Sequence, residues 1–476
     1  MTVTARASWS DVLAEGRAPL FALICLGVWV VAADSLVMAT IMPSVGRALG
    51  SFAFLGWATA GFLLGSVLAG ATSALLTQRF GLRRATAGAA LICAIGCALS
   101  AAAPDIATFL VGRLLQGIGG GWVAGLCSVA IGLLFPNRLL PRVYAAITSI
   151  WGIATLIGPM IGGVFANWGD WRYVFWFFAV QALIVGAASL RMLPPGENGS
   201  DDVKVAWPQL LLVTLGVGAI GVADVAGRFT PSAALTVAGA TLLVAMVWLD
   251  DRLAVRLLPR GARDLKSVLG AGYAALSLLT AASMGYSVYG PAVLQQLAGL
   301  SPLAAGYTVA VEAAAWTFSA LLVAHLTGAW PGRLIRAGAL CVALGVGASS
   351  VAFPFASIVG VIVAGAILGS GFGLSYSFMS QRVLAVLDGE RGMGAAGLAT
   401  VRLIGSAAGA AMAAAIANLV GFSHGLSTLS ARSAGVWVFV AALPIAGLGV
   451  LFAWRLGAAH LSTQGERSPP LEQPVL

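Results

Sequence analysis

Apolar residues fill the chain in runs of about twenty, parted by short polar breaks, and a run of that length wound as a helix spans the roughly 30 Å core of a bilayer. The runs do not alternate with period two, so they predict helices and not the strands of a barrel. Fourteen spans follow from the pattern: 18–44, 52–77, 84–103, 106–134, 142–166, 171–193, 208–227, 232–249, 267–295, 302–328, 332–353, 355–380, 391–420 and 434–457. The longest breaks are Pro194–Trp207, rich in Gly and Asp, and Asp250–Lys266, rich in Arg.

One stretch of the fifth span, "WGIATLIGPMIGG" (151–163), holds Gly152, Gly158, Gly162, Gly163 and Pro159. These are the poorest helix formers in water. In hydrocarbon no water competes for the backbone, and small residues let two helices approach closely. Residues 158, 162 and 163 are expected to form one flat face, with Pro159 permitting a kink.

Composition agrees with the pattern. The chain has 476 residues, 59% hydrophobic and 9% charged, against about 25% charged for a soluble domain. Mean hydropathy is +0.96. The net charge of +9 is scattered between apolar runs, so it speaks for orientation in a membrane and not for nucleic acid. Twenty of the 26 Lys and Arg fall on the side of the termini and four on the other, with Arg113 and Arg402 inside spans. That bias predicts both termini in the cytoplasm. The polar first seventeen residues precede a run too long for a signal peptide, so this run is the expected first span. Cys25, Cys93, Cys97, Cys127 and Cys341 all lie in apolar runs and read as small core residues.

The segments "LLTQRFGLRRATAG" (75–88) and "HLTGAWPGRLIRAG" (325–338) share Leu, Thr, Arg and Gly at an offset of 250. Each follows the second span of a six-span block if spans 7 and 8 are set aside. The layout expected is a six-helix bundle over 1–193, a linker with two extra helices over 194–266, and a second six-helix bundle with a cytoplasmic tail over 267–476. Repeated bundles with a site at their interface are the common plan of transporters.

Ionisable residues inside the bilayer are costly and mark candidate chemistry. They are Asp34, Arg113, Asp224, Glu312 and Arg402, with His325 near a span's end. Asp34 and Arg113 lie at similar depths in spans 1 and 4, within reach of an arginine side chain. They form either a structural ion pair or a carboxylate that exchanges a proton as its partner shifts. Glu312, near the middle of span 10, suits proton exchange or cation binding, and Arg402 is its candidate partner in the second bundle. Asp224 lies nearer a span end. Trp57, Trp151 and Trp316 are candidate walls of a cavity for flat apolar ligands. "GFSHG" (421–425) fits a hydrolase pattern but lacks the strand that pattern needs before its serine. "GIGGGW" (117–122) lacks the Lys-Ser/Thr of a phosphate loop, and with three histidines there is no H-E-x-x-H. No enzyme, cofactor or metal site is expected.

With these residues in place the chain resembles the major facilitator superfamily, and within it the fourteen-span drug:proton antiporters. "ADSLVMATIMP" (33–43) is similar to the family's first-span motif, with Asp34 at its acidic position. "GRLLQGIGGG" (112–121) resembles the fourth-span motif, with Arg113 at its basic position. "GIATLIGPMIGG" (152–163) resembles the fifth-span motif of exporters, and "DWRYVFW" (170–176) follows it as in the family. "LQQLAGLSPLAAG" (294–306) and "VRLIGSAAGAA" (401–411) resemble later patterns. The resemblance implies an all-α integral membrane protein with the major facilitator fold. It implies proton-coupled export of small amphiphilic compounds by alternating access, and the Ala/Gly/Arg-rich composition points to a bacterial inner membrane. Proton coupling would rest on Asp34 and Arg113, and substrate or cation binding on Glu312, Arg402, Trp57 and Trp316. Gating would rest on Arg79, Gly81, Arg83, Gly158, Pro159, Gly162 and Gly163, with span 5 packed against the other bundle. The partners implied are substrate, protons and lipid, for a chain acting as a monomer. Alternatives are a dedicated exporter of one metabolite or lipid, or a receptor of the same fold that no longer transports. Gln78 departs from the family, which has an aspartate there that helps latch the bundles, and the sixth span lacks the usual Asn and Pro.

Overall fold

The computed structural model describes residues 9–50, 52–136, 138–167, 170–194, 204–222, 229–387 and 391–458. Apart from one 3-10 turn at Phe422–His424, its regular elements are α-helices. A short helix, Trp9–Leu13, precedes α1 (Arg17–Ala48). Leu55–Ala101 is one helical stretch broken at Gly81 into two arms, α2 (55–80) and α3 (82–101). Then come α4 (Ile106–Leu134), α5 (Leu140–Asn167), α6 (Arg172–Met192), α7 (Trp207–Val222) and α8 (Phe229–Asp250). The chain continues through α9 (Val268–Leu297), α10 (Pro302–Val323), α11 (Trp330–Ala352), α12 (Ile358–Ala385), α13 (Arg391–Leu419) and α14 (Thr428–Ala458). Among the described residues, twelve helices are long and apolar enough to cross a membrane, and Trp207–Val222 is apolar but shorter.

The helix ends are set by local chemistry. Asp105 accepts the Thr108 N–H at 2.9 Å, Ser267 that of Gly270 at 3.0 Å and Ser301 that of Ala304 at 3.2 Å. Each satisfies a donor that the first helical turn leaves open. The sequence pattern expects a loop at 78–83. The structure turns the chain at one residue, Gly81 (φ 74°, ψ 156°), because that backbone conformation is open only to glycine without strain. Asp224 lies outside the described residues.

Successive helices alternate in direction. One face of the molecule, here the near face, carries the start of α1 and the turn between α2 and α3. The far face carries the connections α1–α2, α5–α6, α9–α10 and α13–α14. One buried core joins α1–α6 with α13 and parts of α9 and α14, and a second joins α9–α12 with α14. The two groups meet toward the far face. Asn418 on α13 donates to the Ala53 carbonyl at 2.6 Å, and Phe422 packs edge-on against Phe52 and Tyr289 at 6.3 and 5.3 Å. The α7–α8 hairpin lies outside this pair of groups, with α7 in the crease between α2 and α13.

Candidate functional site

Asp34 on α1 and Arg113 on α4 are almost fully buried, at 2% and 1% exposure. A carboxylate and a guanidinium at this depth would each cost several kcal/mol to desolvate unless paired and hydrogen-bonded. They are both. Arg113 Nη1 donates to Asp34 Oδ2 at 3.1 Å and Oδ1 at 3.3 Å, and to Gln116 Oε1 at 2.7 Å. Gln116 Nε2 in turn donates to Asp34 Oδ1 at 2.8 Å. Arg113 Nε donates to the Ala58 carbonyl at 3.3 Å, and the guanidinium lies 4.6 Å from the Phe62 ring. The three side chains form a closed triangle, anchored to α2 through Ala58 and Phe62. The depth argument from sequence thus brings Asp34 and Arg113 together. It does not find Gln116, an uncharged residue in an apolar run, although Gln116 stands three residues after Arg113 on the same helix face.

Chemically, the triangle can hold a negative charge at Asp34 and survive its loss. Protonating Asp34 would remove the anion facing Arg113, while Gln116 and the Ala58 carbonyl would still accept from its Nη1 and Nε.

Glu312 sits half-buried at the middle of α10, where Ser287 on α9 donates to its Oε2 at 3.1 Å. One turn on, Trp316 stacks on Phe372 with centroids 4.8 Å apart and planes 16° apart, and Tyr376 completes an aromatic group at 5.8 Å. Gly369 on α12 admits the backbone of α10 against it at Glu312. A carboxylate beside flat rings suits a cation that carries apolar surface.

The expected pairing of Glu312 with Arg402 is not formed. Neither residue is in an ion pair with the other, and α10 and α13 do not touch. Arg402 lies about 10 Å further from the far face than Glu312, counted at about 1.5 Å per helical residue. Its Nε is buried without a hydrogen-bond partner. Trp57 is committed elsewhere too. Its indole N–H donates to the Gly221 carbonyl at 3.1 Å, which docks α7 on α2.

The glycines of α5 serve two neighbours. An added Cβ at Gly158 would come 2.8 Å from Leu36 Cβ, and one at Gly162 would come 3.0 Å from Thr40 Cβ, both on α1. At Gly163 the obstacle is Leu303 on α10, 2.6 Å from the added atom. Pro159 faces α10 as well, beside Gly306. The single flat face expected from sequence is therefore two faces, and only the second reaches the other group. Arg79 is exposed and Arg83 half-buried beside the Gly81 turn, and no hydrogen bond or ion pair ties Gln78, Arg79 or Arg83 to another element among the described residues.

The family profile of the Major Facilitator Superfamily matches residues 24–410. A probable multidrug-efflux transporter of Mycobacterium tuberculosis (strain ATCC 25618 / H37Rv) is 30% identical, over 98% of this chain and 99% of its own. An acurin A biosynthesis cluster transporter of Aspergillus aculeatus is 33% identical, over 42% of this chain and 37% of its own. Among solved structures, a bacterial homologue of the human lysosomal transporter Spinster superposes with a TM-score of 0.67 at 14% identity, covering 93% of this chain and 97% of that one. The E. coli xylose transporter gives 0.59 at 16% identity, over 92% and 98%. At such identities these two speak for the fold alone.

Proposed function

The chain belongs to the Major Facilitator Superfamily and is a multi-pass membrane transporter, not an enzyme, and we propose that it is a proton-coupled exporter of small amphiphilic compounds, of the fourteen-span drug:proton antiporter kind. In this reading the α2 arm and α7 cross the membrane beside the twelve long helices. Residues 1–193 and 267–476 are the two moving bundles, and 194–266 is an insert. The near face is cytoplasmic, as the arginine bias suggests, in a bacterial inner membrane, and one copy suffices for transport.

The observation that carries the reading is the buried triangle of Asp34, Arg113 and Gln116. Apolar side chains would fill the same space at no desolvation cost. An ion pair kept inside a bilayer is therefore most simply explained by use. When the bundles open to one face, water reaches Asp34 and its carboxylate takes up or releases one proton. The charge on Asp34 then decides how tightly Arg113 holds α1 to α4. Alternating that charge with the open face couples a proton moving inward to a substrate moving outward. The identity of the M. tuberculosis relative supports an efflux substrate of the drug type.

The test uses inverted vesicles carrying a pH gradient. Adding a lipophilic cationic dye should partly dissipate the gradient with the native protein. With Asp34→Asn the dye should leave the gradient intact, although the protein remains in the membrane. Dye transport against a gradient at the native rate by Asp34→Asn would remove Asp34 from the coupling role.

A further inference from the structure

The α7–α8 hairpin touches both bundles, and the depth of its contacts shows which one it is joined to. On α2, among the described residues, the side chains clustered around α7 are Leu63, Leu64 and Val67, all in the far half of that arm. Trp57, whose indole reaches Gly221, stands nearer the far face still. The bundles meet toward the far face, so a helix seated in their crease touches both of them there. In the near half the contacts run to the second bundle, α9–α14. Val247 on α8 joins a buried cluster with Tyr273 and Leu276 of α9 and Leu398 and Val401 of α13. Asp250, at the end of α8, accepts the N–H groups of Leu257 and Leu258, and Gln209 on α7 donates to the Val255 carbonyl at 2.7 Å. The connection so held carries Leu258 and Ala262 into the same cluster, beside Val383 of α12. An added Cβ at Gly397 on α13 would come 3.3 Å from Leu258 Cδ2. Tyr273 Oη donates to the Gly394 carbonyl at 3.0 Å, which ties α9 to α13 at the same depth.

Segments that share a packed apolar core move together, whereas a smaller and more polar contact lets its two sides part. On the reading of the chain as a transporter with two alternating bundles, on which this rests, we propose that the hairpin travels with the second bundle as one rigid body. The side of α7 toward α2 is then the surface along which the bundles part. Opening the far face draws α2 away from α13 there, and the hairpin must leave one of them. Leaving α13 would pull Leu258 and Ala262 out of their core and expose apolar surface in every cycle. Leaving the far end of α2 breaks one indole–carbonyl bond, which water can replace. Trp57 is thus a clip, made while the far face is closed and released when it opens.

The test is chemical cross-linking of the full-length protein in membrane vesicles, with Cys25, Cys93, Cys97, Cys127 and Cys341 replaced by alanine. L258C/G397C ties the α8–α9 connection to α13, and W57C/G221C ties α7 to α2. Each pair is joined with a short bismaleimide whose own disulfide can be reduced, and movement of a lipophilic cationic dye is followed directly. Cross-linked L258C/G397C should keep its transport rate. Cross-linked W57C/G221C should lose transport and regain it when the linker is reduced. Loss of transport in the first, or its retention in the second, would overturn the proposal. Because dye movement is read directly, a native protein without proton coupling would leave a pH gradient intact, and both comparisons would still stand. If a cysteine pair does not transport before cross-linking, spin labels carry the same test. Ala233 on α8, Tyr173 on α6 and Phe355 between α11 and α12 are exposed toward the far face. On adding dye, the distance between labels at A233C and F355C should hold, and that between A233C and Y173C should change. A change in the first distance, or none in the second, would overturn the proposal.

Discussion

Gln116 is the residue whose removal separates the parts of the triangle. Leucine there matches its size but leaves Asp34 and Arg113 each short of one buried hydrogen bond. An unsatisfied buried polar group costs about 1–3 kcal/mol. Gln116→Leu should therefore lower the melting temperature in detergent and slow gradient-driven transport, with the ion pair still present. Unchanged melting and turnover together would mean that Gln116 does not support the pair. Glu312 gives a second expectation at this scale. Glutamine keeps an acceptor for Ser287 and keeps the volume, but loses the charge. Glu312→Gln should weaken export of cationic compounds and spare neutral ones, read from paired dose-response curves in cells. Equal loss for both would point instead to proton coupling. The two acids differ in how far the sequence discloses them. Asp34 and Arg113 could be matched because depth in a helix is countable. Glu312 and Arg402 could not, because membership of one bundle does not say which helices touch, and theirs do not.

At the scale of the helix, α5 behaves as two packing surfaces. Gly158 and Gly162 are four residues apart and share a face, whereas Gly163 is turned about 100° from Gly162 at 3.6 residues per turn. That angle was available from the sequence, but which neighbour each face meets was not. The consequence is a split in phenotype. Gly158→Leu drives a side chain into α1 within its own group, so yield and melting temperature should fall along with turnover. Gly163→Leu collides with the start of α10 in the other group, so it should prevent closure at the far face while the protein still accumulates. Labelling of a cysteine introduced at the far face would report that closure. Equal effects of both variants on yield would contradict the assignment of the two faces. The turn between α2 and α3 shows the opposite limit of the sequence. Hydropathy finds a polar break at 78–83, yet the chain needs only Gly81 to reverse, since positive φ is a property of one residue and not of a loop.

Over the whole molecule, the all-helical, membrane-spanning architecture follows from hydropathy, while the place of the α7–α8 hairpin does not. Nothing in an apolar run says which crease it will fill. Trp57 and Gly221 fix it at one end. At the other, buried Asp250 accepts the N–H groups of Leu257 and Leu258 at 2.7 and 3.0 Å and the side chain of Gln209 at 3.0 Å. Between these anchors Val213 and Val217 pack with Leu64, Val67 and Ile404, so α7 covers the line where α2 meets α13. Two bundles leaning together leave two such lines, one on each flank. On the proposed reading, with the first covered by α7, a compound dissolved in the lipid would enter along the other line, between α5 and α10. At mid-depth that line is bordered by Gly152, where an added Cβ would sit 4.0 Å from Thr317. Narrowing it with Gly152→Trp should slow the pumping of lipid-partitioned compounds and leave water-soluble ones alone, as efflux assays with one of each would register. If the α7–α8 hairpin is an insert between two moving bundles, it would make a nearly symmetric machine one-sided toward its own membrane.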